Sequence, residues 1–292
     1  MYDLTSPKQT SELMRSHGVR PQKRLGQNFL CDRNILNRIV GAAHIQPDTP
    51  VLEIGAGAGA LTLALALPAD RVTSVEIDER LEPLLREVTA PYDNISLLFG
   101  DFMRFDLPSL CQQAFGEKPG VIVANIPYYI TTPIIERLLE HKTHWSRAVL
   151  LVQQEVAARL LAKPDTREYG SMTLFVRYHA TVEFICKVPP TVFLPPPEIT
   201  SAVIALEPIL EGAVSVRNPQ RLNHLVRAGF GQRRKTLLNS LLRAPASFNL
   251  GFGMEDRVKA EALLAKAGID GNRRGETLSL EEFAQIENAY ED

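Results

Sequence analysis

Short apolar runs and helical spacings alternate along the first two thirds of the chain. Val51-Leu52-Glu53-Ile54, Val72 to Ile77, Ile95 to Phe99, Val121 to Ala124 and Ala148 to Val152 are brief apolar runs, the pattern of strands buried on both faces. Helical spacings lie between and around them. Asp32 can cap a helix over roughly 33–43, with Ile35, Leu36, Ile39 and Val40 on one face. Leu61 to Leu67 opens a second. Asp78 caps a third through Leu81, Leu84, Leu85 and Val88, and two more follow over roughly 132–141 and 153–162. This alternation predicts an α/β domain with a parallel sheet covered on both faces. Two later strands, 179–188 and 201–207, are joined by the proline-rich stretch Val188 to Pro197 without a crossover helix. That permits an antiparallel pair at the end of the sheet. Past Pro208 only helical patterns remain, over 219–230, 233–243, 255–267 and 279–290. The expected organisation is a basic arm over 1–30 without helical or strand period, an α/β domain over 31–210 and a small all-helical domain over 211–292.

Composition narrows the class. A chain of 292 residues suggests two domains at about 150 residues each. With 45% hydrophobic and 23% charged residues, neither disorder nor a fibrous chain is expected. No apolar run approaches the roughly 18 residues of a membrane span, and Met1 to Arg24 lacks the apolar block of a secretory signal. A cytoplasmic protein without membrane contact is the expectation. Cys31, Cys111 and Cys186 lie too far apart for a zinc set or a disulfide framework. His141 and His144 stand without cysteine or carboxylate at ligand spacing, so no metal site is expected.

Net charge is −2, which by itself argues against a nucleic-acid partner. Its distribution reverses that inference. Residues 1–40 carry seven Lys/Arg against three Asp/Glu, and residues 218–246 carry six against none. Residues 41–217 carry 14 against 21. Two basic segments in an acidic background can mark a polyanion surface, and a solvated face would give the same pattern.

The candidate chemistry sits at strand ends. Gly55, Gly57 and Gly59 follow the first strand and open a helix, where a side chain would block close approach of a ligand to the backbone. Glu76 closes the next strand, placed to accept bonds from both hydroxyls of a ribose. These features are shared by NAD, FAD and S-adenosylmethionine proteins. Glu53 tilts the choice, because a carboxylate there repels a pyrophosphate and suits a cationic sulfonium. Gly100-Asp101 follows the third strand, where Asp101 can accept from an adenine amine or simply cap a turn. Asn125-Ile126-Pro127-Tyr128 follows the fourth. An Asn oxygen and the Ile126 carbonyl can both accept from one NH₂ group, and Tyr128 offers a flat face to a base. Phe193, held between prolines, is the candidate second aromatic of a sandwich around a flipped base, with a core role as its alternative.

With those residues in order, the chain resembles the ribosomal RNA adenine N6,N6-dimethyltransferases, in particular the bacterial small-subunit branch. The resemblance runs through Lys23 to Leu30, Val51 to Gly55, Val75 to Asp78, Gly100-Asp101, Asn125 to Tyr128, Gln153 to Val156, the Phe193 loop and Phe230 to Leu237. It implies a Rossmann-like, seven-stranded methyltransferase sheet with a C-terminal helical domain. It also implies S-adenosylmethionine as methyl donor, S-adenosylhomocysteine as product, and dimethylation of two adjacent adenosines near the 3′ end of small-subunit rRNA. The donor contacts implied are Asn28, Leu30, Gly55, Glu76, Asp101 and Asn125, and Glu53, Gly57, Ile77 and Phe102 join them as candidate cofactor contacts. The target contacts are Asn125, Ile126, Tyr128 and Phe193. Arg20, Lys23, Arg24, Arg221, Arg227, Arg233, Arg234 and Lys235 are the expected RNA contacts, and the expected partner is rRNA within a precursor of the small subunit, met by a monomer. A DNA adenine methyltransferase, a non-catalytic assembly factor and an NAD oxidoreductase are the competing readings.

Overall fold

The structure is a computed structural model that describes residues 2–232 and 234–290, so Arg233 lies outside the described residues. The chain forms two units, Met1–Ala157 with Val182–Pro208, and Ala158–Thr181 with Ile209–Asp292.

In chain order, the first unit opens with α1 (Pro7–Ser16), β1 (Phe29–Leu30), α2 (Arg33–Ala42), β2 (Pro50–Ile54), α3 (Ala60–Ala66) and β3 (Arg71–Glu76). It continues with α4 (Glu82–Thr89), β4 (Ile95–Phe99), α5 (Leu107–Phe115), β5 (Gly120–Asn125), α6 (Thr131–Glu140) and β6 (Trp145–Gln153). After α7 (Gln154–Leu161) and α8 (Ser171–His179) come β7 (Ala180–Val188), β8 (Phe193–Leu194) and β9 (Ser201–Pro208). The seven-stranded sheet has the order β4-β3-β2-β5-β6-β9-β7. Its first five strands pair in parallel, and β9 runs antiparallel to β6 with Gln153 opposite Ser201. The two late strands expected from the sequence are therefore sheet neighbours. The Rossmann-like sheet expected from the sequence is present.

Two features of this unit depart from the sequence reading. The arm is not free of helix: Ser6 caps α1 by accepting from the Gln9 N–H, Pro7 starts it, and it buries Thr10, Leu13 and Met14. So few apolar positions leave no visible period, yet with Leu4 they join a core formed by Leu81, Leu84, Leu85 and Val88. The proline loop also carries structure. Within it β8 pairs antiparallel with β1, Leu30 opposite Phe193 and Phe29 opposite Leu194.

The second unit contains α9 (Pro219–Gly231), α10 (Leu237–Leu242), α11 (Arg257–Lys266) and α12 (Leu280–Asn288) together with α8. The sequence pattern placed residues 158–181 with the sheet. Their packing explains where they sit instead. The Tyr169 hydroxyl donates to the Leu278 carbonyl at 2.8 Å, and its ring meets Phe230 edge-on at 5.6 Å. Leu174 and Tyr178 share one apolar core with Leu222, Leu225 and Phe283.

Candidate active site

The parallel strands β3, β2 and β5 lie side by side, so their carboxyl ends deliver Glu76, Gly55 and Asn125 to one edge. Ligands of open α/β sheets bind at such an edge. Here it forms a cleft of about 540 Å³, open to solvent. Gly55 and Gly57 line it, with Glu76 and Ile77, the Asn125–Tyr128 loop, and Leu25 to Phe29 of the arm.

Glycine is required at two of these positions. Gly55 has φ +86°, and a β-carbon there would lie 3.5 Å from the Asn125 carbonyl oxygen. Gly57 has φ +58°, and its β-carbon would come within 3.1 Å of the Phe29 ring. Side chains would strain the turn and fill the space between β2 and the loop after β5.

Glu76 is buried yet lines the cleft. One carboxylate oxygen accepts from the Gly57 N–H at 2.8 Å and the other from the Asp78 N–H at 2.9 Å. Burial raises its pKa, while the two amides act in the opposite sense. Each oxygen retains a lone pair, so the group can accept two further bonds in a fixed orientation. Asn125 is fixed in the same way. Its Nδ2 donates to the Asn28 carbonyl at 3.1 Å, which leaves Oδ1 as the acceptor for a ligand. Asn28 in turn donates to the Gly26 carbonyl at 3.1 Å. Ile126 is buried, with its N–H on the Leu151 carbonyl at 3.2 Å, so its carbonyl edge is what it contributes. The Tyr128 hydroxyl bonds Ser201 Oγ at 2.7 Å, and burial raises its pKa. The phenol is therefore a neutral, anchored ring rather than a base.

A carboxylate and an amide oxygen held by backbone groups, beside an anchored aromatic ring, suit a ligand bearing hydroxyls and an amine. The ribosomal RNA adenine dimethylase model matches residues 18–291. The chain belongs to that family. A ribosomal RNA small subunit methyltransferase A of Bacillus pumilus is 44% identical over 290 residues, covering 99% of this chain and 98% of that one. The protein of the same description from Geobacillus thermodenitrificans is 45% identical over 288 residues, covering 98% and 97%. Among solved structures, a dimethyladenosine transferase from Plasmodium falciparum matches with TM-score 0.74 and 28% identity, covering 88% of this chain and 95% of that one. The 23S rRNA methyltransferase ErmE matches with TM-score 0.67 and 31% identity, covering 90% and 99%.

Within this dimethylase, five residues singled out from the sequence do not line the cleft. Glu53 is fully buried and faces Thr62 and Ser74, whose hydroxyls both donate to its Oε2, the former at 2.6 Å. Its Oε1 has no partner among the described residues, and burial pushes its pKa up to about 7. It holds α3 against the sheet from beneath the glycine turn instead of facing a ligand. Leu30 and Phe193 are core residues because the β1–β8 pairing turns both inward. Phe193 is 3% exposed, so a stacking role would require its ring to leave that core. Asp101 is half-exposed and caps a turn, accepting from the Met103 N–H at 2.9 Å. Phe102 is buried under the Arg137 guanidinium, 5.7 Å from its centroid.

Sequence reasoning gives no role to Gln27 or Arg137. Gln27 lines the cleft and donates to Asp78 at 2.8 Å. Arg137 on α6 donates to the Met103 and Phe105 carbonyls and braces the loop that carries Asp101. Gln27 lay inside a motif already quoted, beside Asn28, and that adjacency was the available signal. Nothing in the spacing around Arg137 points to a loop some 30 residues away.

The basic residues divide. Arg20, Lys23 and Arg24 are exposed on the arm, and Arg227, Arg234 and Lys235 are exposed in the helical unit. Arg221 is engaged within the helical unit. It is ion-paired at 2.7 Å with Glu287, which is fully buried, and its guanidinium lies 4.3 Å from the Tyr290 ring centroid.

Proposed function

We propose that this chain transfers methyl groups from S-adenosylmethionine to the N6 atoms of two adjacent adenosines near the 3′ end of small-subunit rRNA, dimethylating each. The small-subunit assignment rests on relatives 44–45% identical over almost the full chain, against 31% for the large-subunit enzyme. The observation that carries the chemistry is the Asn28–Asn125 contact, which fixes an amide acceptor at the mouth of a glycine-floored cleft.

The cleft fits the donor. Glu76 is preset by the Gly57 and Asp78 amides to accept from ribose hydroxyls, and the missing β-carbons at 55 and 57 admit the ligand close to the backbone. When bound, S-adenosylmethionine supplies an activated methyl group. Asn125 Oδ1 and the Ile126 carbonyl accept from the adenine amine, which raises electron density at its nitrogen and aligns the lone pair. Tyr128 presents its ring to the base. Because the sulfonium is already activated, the chain's contribution is alignment and hydrogen-bond acceptance, with no covalent enzyme intermediate. The arm's Arg20, Lys23 and Arg24 and the helical unit's Arg227, Arg234 and Lys235 neutralise rRNA phosphates. The setting is the cytoplasm, and the substrate is rRNA in a small-subunit precursor particle, bound by a monomer.

Mass analysis of rRNA tests this reading. Cells without the protein should lack dimethyladenosine in small-subunit rRNA, and the intact chain should restore it. Asn125→Ala should reduce transfer by about 100-fold or more, in line with loss of one preorganised hydrogen-bonding group. An unchanged rRNA pattern without the protein would overturn the assignment.

A further inference from the structure

Two tyrosines follow Pro127 in a single 3₁₀ turn, Tyr128–Ile130, and they have different surroundings. Tyr128 faces the cleft and is anchored on Ser201. Tyr129 is 57% exposed, and among the described residues its hydroxyl has no hydrogen-bond partner. Its ring is nevertheless supported. Gly26, at φ +61°, leaves its α-carbon bare on that side. A β-carbon there would sit 3.5 Å from Tyr129 Cδ1, 3.6 Å from Cε1 and 3.5 Å from Pro127 Cβ. Gly26 and Pro127 both line the cleft, so the ring stands at its rim. Lys23 and Arg24, both exposed, lie three and two residues before Gly26 along the arm.

A flat, propped, solvent-facing aromatic at the rim, supported by a glycine that follows two exposed cations in the chain, has the chemistry that receives an unstacked nucleobase. An adenine that enters the cleft must leave its stack, and its neighbour then loses a stacking partner. We propose that Tyr129 is the platform on which the nucleobase adjacent to the target adenosine stacks while the target occupies the cleft. The inference rests on the methyltransferase reading above and adds to it a subsite for the second nucleotide. With Phe193 buried, this ring supplies the outward-facing aromatic surface at the rim. For two adjacent adenosines, one can be held at Tyr129 while the other reacts.

The test uses the full chain and unmethylated small-subunit particles whose rRNA carries 2-aminopurine beside the target adenosine. Binding by the wild type should quench that fluorophore, since stacking on a ring does so. Tyr129→Ala should remove the quench and raise KM for the particle about tenfold. Affinity for S-adenosylhomocysteine and the melting temperature should not change. Tyr129→Phe should behave as wild type, because the ring and not the hydroxyl is used. A quench and KM unaltered in Tyr129→Ala overturn the proposal, as does an equal loss of S-adenosylhomocysteine affinity, which would mark a purely structural residue. Failure of the wild type to methylate the particles or to bind S-adenosylhomocysteine would instead strike the reading on which the inference rests.

Discussion

The carboxyl edge of the sheet and the junction of α9 with α12 both gather charged side chains, and they use them in opposite ways. At the sheet edge, the Glu76 carboxylate is oriented by two amides and still borders open space. At the helical junction, Glu287 is closed off completely. It accepts from the Arg217 and Asn218 amides at 2.9 and 3.1 Å and from Arg221 at 2.7 Å. There neither carboxylate oxygen meets solvent, and the group serves to start α9 in the right place. A charged residue near a functional segment is assigned by what its polar atoms have left over. Arg221 belongs by sequence to the most basic stretch of the chain and by structure to a sealed pair.

The contrast can be broken most forcefully at that pair. Arg221→Met strands Glu287 in the core, and urea unfolding should report a loss of about 3–5 kcal/mol. Unchanged stability with weakened rRNA binding would return Arg221 to the RNA surface. The next effect is expected at Glu53, the sheet's own sealed carboxylate. Its pKa rises from 4.5 to about 7 on folding, so the folded state holds a proton that the unfolded state has released. Its stabilising contribution is complete below about pH 4.5 and falls by about 3 kcal/mol as pH rises through 7. Unfolding free energies of Glu53→Gln should lack that decline, and a slope identical to wild type would show the carboxylate to be ionised in the fold. The smallest effect belongs to the open charges of the arm. Replacing Lys23 and Arg24 by Gln should leave stability within about 0.5 kcal/mol. The slope of log rRNA affinity against log salt should flatten by about 1.5.

These differences also mark what could be read before folding. The strands and most of the sheet's helices were legible because each is a run or stripe of apolar residues, and Glu76, Asn125 and the glycines because they close those strands. α1 was not, since Leu13 and Met14 alone cannot establish a period, and its partners Leu84 and Leu85 lie far along the chain. Phe193 was ambiguous because proline on both sides stiffens a loop without saying which way a ring points. Only the pairing of β8 with β1 turns it inward. Glu53 was placed on a ligand by its position two residues before Gly55. Alternation in a buried strand puts that side chain under the turn, where Thr62 and Ser74 wait for it.

The short β1–β8 ribbon has a consequence for how the protein is made. Phe29 and Leu30 emerge early from the ribosome, and their partners Leu194 and Phe193 emerge late. Until then the wall carrying Asn28 has nothing to pair with, and Asn125 has no settled carbonyl to hold. A nascent or truncated chain that stops short of residue 193 thus carries every strand of the parallel sheet and still lacks a finished catalytic mouth.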